Sequence, residues 1–191
     1  DYYTPEGFVP GNKENTNTPW FVIYPLGETF SYDPHPGSYK GAEWIVKNLI
    51  DAAAKGGNFM AAIGPDGTGK FHPKAIEQLK KTGTWLRING KGIYATRARD
   101  GELWKEGDNI RFTRSKDQRT VYAFAYAWPE DKLVLTSVKP RVDGKIYLMG
   151  FERPLKWTYD SSHGLVIETP AEVRSKLPEG SHLGYGFVIP V

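Results

Sequence analysis

Cysteine is absent from the 191 residues of this chain. Disulfide bonds, cysteine-ligated zinc and thiol catalysis are therefore excluded. Long hydrophobic runs are also missing, because no apolar stretch approaches the roughly 20 residues that a membrane-spanning helix needs. The composition, 39% hydrophobic and 14% aromatic, is instead typical of a globular protein with a packed core. We expect neither a membrane-spanning segment nor a membrane partner.

An excess of charge of one sign is absent as well. The chain has 25 basic and 22 acidic residues spread along its length, for a net charge of +3. Binding to a phosphate backbone requires a concentrated basic stripe, so we do not expect nucleic acid as a partner. No His-x-x-x-His pair and no carboxylate at ligand spacing accompanies the histidines His35, His72, His163 and His182. We expect no metal and no other cofactor.

Helical and strand patterns alternate in the first half of the chain. Hydrophobic spacing and the Pro and Gly residues predict four elements: a strand at 20–24, a helix at 41–55, a strand at 58–63 and a helix from 73 to 89. The second strand is a short apolar run between glycines, which favours burial on both faces of a parallel sheet. So few elements cannot bury such a sheet. We therefore expect a missing portion upstream.

The period of the pattern changes to two after Gly92. Short alternating runs separated by turn residues predict strands at 93–98, 109–114, 119–128, 132–138, 145–150, 154–159, 164–169 and 182–190. About eight short strands without a helical pattern are typical of an antiparallel β-sandwich. The fold class predicted is α/β followed by all-β, with a boundary near residue 92.

One strand carries a row of aromatic side chains. The alternation of residues 121–128 predicts one face with Tyr122, Phe124, Tyr126 and Trp128, and another with alanines. Such a face could stack on sugars, or it could form the core of the sandwich. The core interpretation is favoured because aromatic side chains fill such cores.

A glycine-rich loop follows the second predicted strand. Residues 64–70 have the glycine and lysine spacing of a phosphate-binding P-loop. That motif continues with Ser or Thr, where this chain has Phe71, and His72-Pro73 delays the helix that should hold the phosphate. A tight turn between strand and helix accounts for the same residues. Serine hydrolase chemistry is not expected either, because the chain has no Gly-x-Ser-x-Gly motif.

Carboxylates remain as candidate catalytic groups. Four of them lie in the loop-rich first segment, which would overhang the carboxyl ends of barrel strands: Glu6, Glu14, Glu28 and Asp33. Each also fits a solvated surface position.

Several motifs, in order, carry a specific resemblance. They include a Gly-Gly-Asn block at 56–58 followed by Ile-Gly-Pro at 63–65, and the motifs Asp1–Glu6, Pro19-Trp20, Phe30–Tyr32, Tyr39-Lys40, Gly83–Leu86, Asn89-Gly90, Ile93–Thr96 and Leu155–Trp157. Along essentially its whole length the sequence resembles the C-terminal portion of the α-L-fucosidases of glycoside hydrolase family 29.

The resemblance implies a fold and an activity. Residues 1–91 would be the last βα units of a (β/α)8-like barrel, and residues 92–191 a β-sandwich domain. The family's reaction is retaining hydrolysis of terminal α-L-fucose from glycans, in which one carboxylate attacks the anomeric carbon and a second acts as acid and base. The nucleophile would lie in the missing N-terminal barrel portion. Asp1 would belong to the motif around it and have a structural role. Because bacterial members of the family are often exported, the resemblance favours an exported bacterial protein, periplasmic or extracellular.

The resemblance also assigns site residues. Glu6, the glutamate of Thr-Pro-Glu, would be the acid/base, Phe30 would pack against the methyl group of fucose, and Trp20 would contact substrate. Other members carry Trp-Glu where this chain has Trp20-Phe21, and Phe21 cannot transfer a proton. Residues 60–62, Met-Ala-Ala, also depart from the usual Leu-Leu-Asn. A non-catalytic fucose- or glycan-binding relative is the alternative, whereas an unrelated sandwich interaction domain would account only for residues 92–191.

Overall fold

A computed structural model describes residues 2–10 and 18–191. Asp1 and Glu14 lie outside these ranges. None of the helices among the described residues is both long enough and apolar enough to cross a membrane.

The first region contains parallel strands and two helices. Strand β1 (Phe21–Pro25) pairs in parallel with β2 (Asn58–Ala62), in a register that runs from Phe21 opposite Asn58 to Pro25 opposite Ala62. Residues 3–7 lie along the other edge of β1, also in parallel, through the bonds from Phe21 N to Tyr3 O and from Ile23 N to Pro5 O. Three adjacent parallel segments therefore form this part of the chain.

Two helices cover one side of these segments. Helix α1 (Ala42–Ala54) is followed by Lys55 as its C-cap and then by Gly56, whose φ of 83° is the left-handed conformation found after many helices. Helix α2 (Pro73–Asn89) has proline in its first turn, and His72 Nδ1 accepts a hydrogen bond from Lys74 N. Both predicted helices and both predicted strands of this region are confirmed.

Only one face of β2 is covered within this chain, so the predicted burial on both faces stays a prediction. Phe59 and Ala61 pack towards the helices, whereas Asn58 and Met60 are exposed, Met60 to 45%. Alternate residues of a strand point to opposite faces, and no other described element covers the second face. The parallel segments are thus covered by helices on one side.

The second region is built from two antiparallel sheets. The strands of the larger sheet are β3 (Thr96–Arg97), β4 (Lys105–Glu106), β5 (Ile110–Ser115), β6 (Thr120–Ala125), β8 (Tyr147–Leu148) and β11 (Tyr185–Pro190). Those of the smaller are β7 (Lys132–Leu135), β9 (Trp157–Asp160) and β10 (Gly164–Glu168), and a short helix, α3 (Ala171–Arg174), follows. The larger sheet has the order β3-β5-β6-β11-β8, with β4 paired to β5, and the smaller has the order β7-β10-β9.

The two sheets share one hydrophobic core. Phe112 and Phe187 of the larger sheet and Leu135, Leu165 and Ile167 of the smaller one are all fully buried in a single cluster. The antiparallel sheets predicted after Gly92 are confirmed, although most strands are shorter than the alternating pattern indicated, and β4 was not predicted.

The aromatic face of β6 lies elsewhere than predicted. Tyr122 and Phe124, 5% and 0% exposed, pack against Val46, Ile50 and Trp85 of the two helices. The opposite face of β6, which carries alanines, faces the smaller sheet. Strand β6 ends at Ala125, so the alternation does not continue to Trp128, whose ring instead meets Tyr185 edge-on at 5.1 Å. Rings buried against helices cannot stack on a sugar, so the sugar-stacking interpretation of this strand is wrong.

Candidate functional site

The three parallel segments end at a common edge. Residues 3–7 end beside β1, where Gly7 N donates to Ile23 O at 3.2 Å and Glu6 is opposite Ile23 in parallel register. Strands β1 and β2 end together, with Leu26 N bonded to Ala62 O at 2.8 Å. Glu6 is exposed at this edge. Carboxyl ends of parallel strands are where α/β proteins carry their sites, so this edge is the first candidate.

The loop after β1 (residues 26–40, the Phe30 loop) holds Phe30 at the same edge. Its two ends are joined by the bond from Lys40 N to Leu26 O, 2.8 Å long. The ammonium group of Lys40 also donates to Pro25 O at 3.0 Å and to Gly27 O at 2.6 Å. Phe30, within this loop, is 44% exposed. The aromatic ring is therefore available to a ligand while the ends of its loop are fixed.

The loop also rests on the end of β2. A Cβ atom added to Gly64 would lie 2.5 Å from Ser31 C, 2.5 Å from Tyr32 N and 2.6 Å from Phe30 O. Only glycine allows so close an approach of two backbones. Glu6 and the Phe30 loop, which are separate in the sequence, thus come to one edge of the parallel segments.

The other carboxylates of this loop have different surroundings. Hydrogen bonds hold the pKa of Asp33 below its ordinary value, first from the His35 backbone N–H and then from the Ser38 side chain. Asp33 Oδ1 accepts from His35 N at 2.8 Å, so this carboxylate shapes the loop itself. Glu28 is exposed.

In the loop with P-loop spacing, residues 64–70, the Asp66 side chain accepts hydrogen bonds from within the loop. Asp66 Oδ1 accepts hydrogen bonds from Thr68 Oγ1 at 2.7 Å, Thr68 N at 2.8 Å and Lys70 N at 3.0 Å. These bonds, the Thr68 hydroxyl first, lower the pKa of Asp66. The backbone N–H groups of Thr68 and Lys70 thus already have a partner, and His72 caps the helix that follows. A tight turn is the interpretation that fits.

Comparison with known proteins places the chain in a family. The family model described as alpha-L-fucosidase matches residues 1–91, and the model described as alpha-L-fucosidase C-terminal domain matches residues 105–185. The chain belongs to the α-L-fucosidase family. It corresponds to the C-terminal part of such a protein, because the model of the C-terminal domain matches its second half.

Relatives of the α-L-fucosidase family share moderate identity with the chain. Plasma alpha-L-fucosidase of Rattus norvegicus is 30% identical over 172 residues, which cover 89% of this chain and 37% of the relative. Tissue alpha-L-fucosidase of Mus musculus is 35% identical over 135 residues, 70% of this chain and 29% of the relative. The chain thus spans less than two fifths of the length of these α-L-fucosidases.

Solved structures of α-L-fucosidases show the same fold. The Thermotoga maritima alpha-fucosidase in complex with a mechanism-based inhibitor superposes with a TM-score of 0.79 at 24% identity, covering 100% of this chain and 43% of that one. Alpha-L-fucosidase isoenzyme 1 from Paenibacillus thiaminolyticus gives a TM-score of 0.81 at 19% identity, covering 100% of this chain and 45% of that one. The whole chain has the fold of the matching part of these proteins.

Trp20, predicted from the α-L-fucosidase resemblance to contact substrate, lies at the other end of β1. Its backbone is opposite Tyr3, its carbonyl oxygen accepts from Asn58 N at the start of the parallel segments, and the residue is only 7% exposed. The ring covers Gly57 so closely that any side chain there would overlap it. The burial of the ring favours a role in packing. Next to it, Phe21 is half-buried, with its ring 5.5 Å from that of Tyr2.

A large cavity of the chain also lies at that end. Its volume is about 1120 Å³, and its lining includes Trp20, Asn58, Arg97, Arg99 and Asp100. Neither Glu6 nor Phe30 lines it. Within the described residues, no group of three or more His, Asp or Glu side chains is arranged to hold a metal ion. The cavity and the carboxylate at the carboxyl edge are therefore separate features.

Proposed function

We propose that this chain is part of a retaining exo-α-L-fucosidase that hydrolyses terminal α-L-fucose from fucosylated oligosaccharides or glycoconjugates. Membership of the α-L-fucosidase family supports the activity and the substrate class. The observation that carries the assignment of a site is the exposed Glu6 at the carboxyl edge, where the Phe30 loop also lies.

In this proposal Glu6 is the acid/base. It donates a proton to the glycosidic oxygen as a nucleophilic carboxylate from elsewhere in the protein attacks the anomeric carbon. It then takes a proton from the water that hydrolyses the glycosyl-enzyme intermediate. Retention requires the two carboxyl groups to be about 5–5.5 Å apart. The side chain of Phe30 gives the sugar's methyl group an apolar surface.

Residues 1–91 would be the last βα units of a (β/α)8-like barrel, and residues 92–191 a β-sandwich domain. The uncovered face of β2, with Met60 exposed, supports the barrel part of the proposal because parallel sheets are normally covered on both faces. Further strands of a longer protein would cover it and supply the nucleophile. The 191 residues alone should therefore release no fucose.

The decisive experiment compares the full-length protein with its Glu6→Gln variant on an aryl α-L-fucoside. General acid–base catalysis contributes about 10²–10⁴-fold, so the variant should lose a rate of that order. Azide, or an aglycone that leaves without protonation, should restore part of it. Glu172→Gln, which changes an exposed carboxylate of α3 in the second region, is the matched control and should keep the wild-type rate.

A non-catalytic fucose- or glycan-binding relative is the second candidate. Phe21, in place of the Glu of other members, favours it. The burial of Tyr122 and Phe124 argues against a sugar-stacking face on β6, on which this candidate partly relied. A wild-type protein that binds fucose and releases none from any α-L-fucoside would replace the first proposal with this one.

A further inference from the structure

One ammonium group holds both ends of the Phe30 loop. Lys40 Nζ donates to Pro25 O, the last residue of β1, and to Gly27 O, the second residue beyond it. The same ammonium lies 5.2 Å from the centre of the Trp44 ring, over its face. Because the positive charge meets two carbonyl dipoles and an aromatic face, the start of the loop is fixed to the residue at its end.

The middle of the loop is fixed from a second side. The backbone of Phe30, Ser31 and Tyr32 lies against the Cα atom of Gly64, with no room for a methyl group. The φ angle of Gly64 is outside the left-handed region, so an alanine there would be opposed by this contact and not by its own backbone conformation. The spacing between β2 and the loop thus depends on the absence of a side chain.

A third contact joins the loop to α2. Tyr39 Oη donates to Asp33 O at 2.8 Å, which closes the second half of the loop. The Tyr39 ring stacks on the His72 ring with 5.0 Å between centroids and 25° between planes. His72 is itself fixed as the cap of α2. The loop is therefore held on its β1 side, its β2 side and its α2 side, while the Phe30 ring stays exposed.

We propose that Lys40 and Gly64 are positioning residues that hold Phe30 against the C5 substituent of the sugar, and that they set the preference for a 6-deoxy sugar. This inference rests on the proposed function. A methyl group packs against the fixed ring, whereas a hydroxymethyl group at the same position brings a hydroxyl that the ring cannot hydrogen-bond. Hydrophobic pockets discriminate between substrates that differ by one small group by about 10–200-fold.

The test uses the full-length protein and two aryl glycosides, an α-L-fucoside and an α-L-galactoside, which differ only by the hydroxyl on C6. The quantity measured is the ratio of their kcat/KM values. Gly64→Ala should lower this ratio by about tenfold, mainly through a higher KM for the fucoside, because the added methyl group displaces the loop. Gly67→Ala changes the same β2–α2 loop at a position with nothing within 4 Å, and it should leave the ratio unchanged.

Lys40→Met tests the same inference from the opposite side of the loop. The substitution keeps an unbranched side chain one atom shorter than lysine but removes the ammonium group that holds Pro25 O and Gly27 O. It should lower the ratio in the same direction as Gly64→Ala. Lys80→Met, at an exposed position of α2, is its control. If Gly64→Ala does not fold, as judged by its thermal transition, the Lys40 variant decides alone.

Each outcome has a distinct meaning. A lower ratio in both variants, with unchanged ratios in both controls, supports the positioning role. If the wild type is active and neither Gly64→Ala nor Lys40→Met changes the ratio of kcat/KM values, this inference is overturned and the proposed function stands. A wild type that hydrolyses no α-L-fucoside overturns both.

Discussion

Asp51 of α1 and Arg111 of β5 are joined by a hydrogen bond of 2.6 Å between Oδ1 and Nε. The second carboxylate oxygen of Asp51 meets Lys55 Nζ at 2.8 Å. The Arg111 guanidinium also lies 5.1 Å from the centres of two aromatic rings, those of Trp104 and Tyr126. This contact connects a helix of the first region to the larger sheet of the second.

Loss of this ion pair should destabilise the protein. The side chains of Asp51 and Arg111 are only 18% and 14% exposed, so Arg111→Met would leave a carboxylate largely withdrawn from water, with Lys55 as its remaining charged partner. We expect the free energy of unfolding to fall by about 1.5–3 kcal/mol, the range for a lost hydrogen bond to a charged group, as measured by urea denaturation. Glu43→Gln breaks the exposed pair with Lys47 on the same helix and should cost less than about 1 kcal/mol. Equal losses in the two variants would contradict the importance of burial.

A methyl group at Gly57 should act through Trp20. The added Cβ atom would overlap the Trp20 ring, and over-packing of this kind costs about 1–3 kcal/mol. Gly83→Ala, within α2, is the opposite case, because its Cβ atom would meet only Arg87 Nη1, at 3.9 Å. That variant should gain about 0.5–1 kcal/mol from helix propensity. Thermal unfolding of both variants would show whether Trp20 is as tightly packed as its burial indicates.

The stability of α2 should decrease in the acid pH range because Glu77 becomes protonated there. Hydrogen bonds from Lys81 first, and then from Lys74, lower the pKa of Glu77 from 4.5 to about 2. Since the folded value is depressed, the contribution of this carboxylate is complete above pH 4.5 and is lost as the pH falls towards 2. Glu77→Gln should reduce the slope of stability against pH in that window. Because the site is exposed, added salt should weaken the difference, and a slope unaffected by the substitution would refute the assignment.

The elements of the first region could be predicted from the sequence because their signals are local. Pro73 and Asn89-Gly90 bound α2, and Gly56-Gly57 ends α1, so both helices appear where the capping residues indicate. Strand β4 could not be predicted because a strand of two residues has no period to detect. The aromatic face of β6 was predicted to lie in the sandwich core but packs against the helices. Alternation shows that the two faces of a strand differ, and it does not show which element each face contacts.

The sequence by itself determined the family, the helices, the change to antiparallel strands after Gly92 and the candidacy of Glu6 and Phe30, because motifs and periodicity are properties of short segments. Only the tertiary structure decided that Phe124 packs against helices, that Trp20 is buried and that Asp51 meets Arg111. It also brought Lys40 and Gly64 to the Phe30 loop. These relationships join residues far apart in the chain, and they follow from how the elements pack rather than from any local preference.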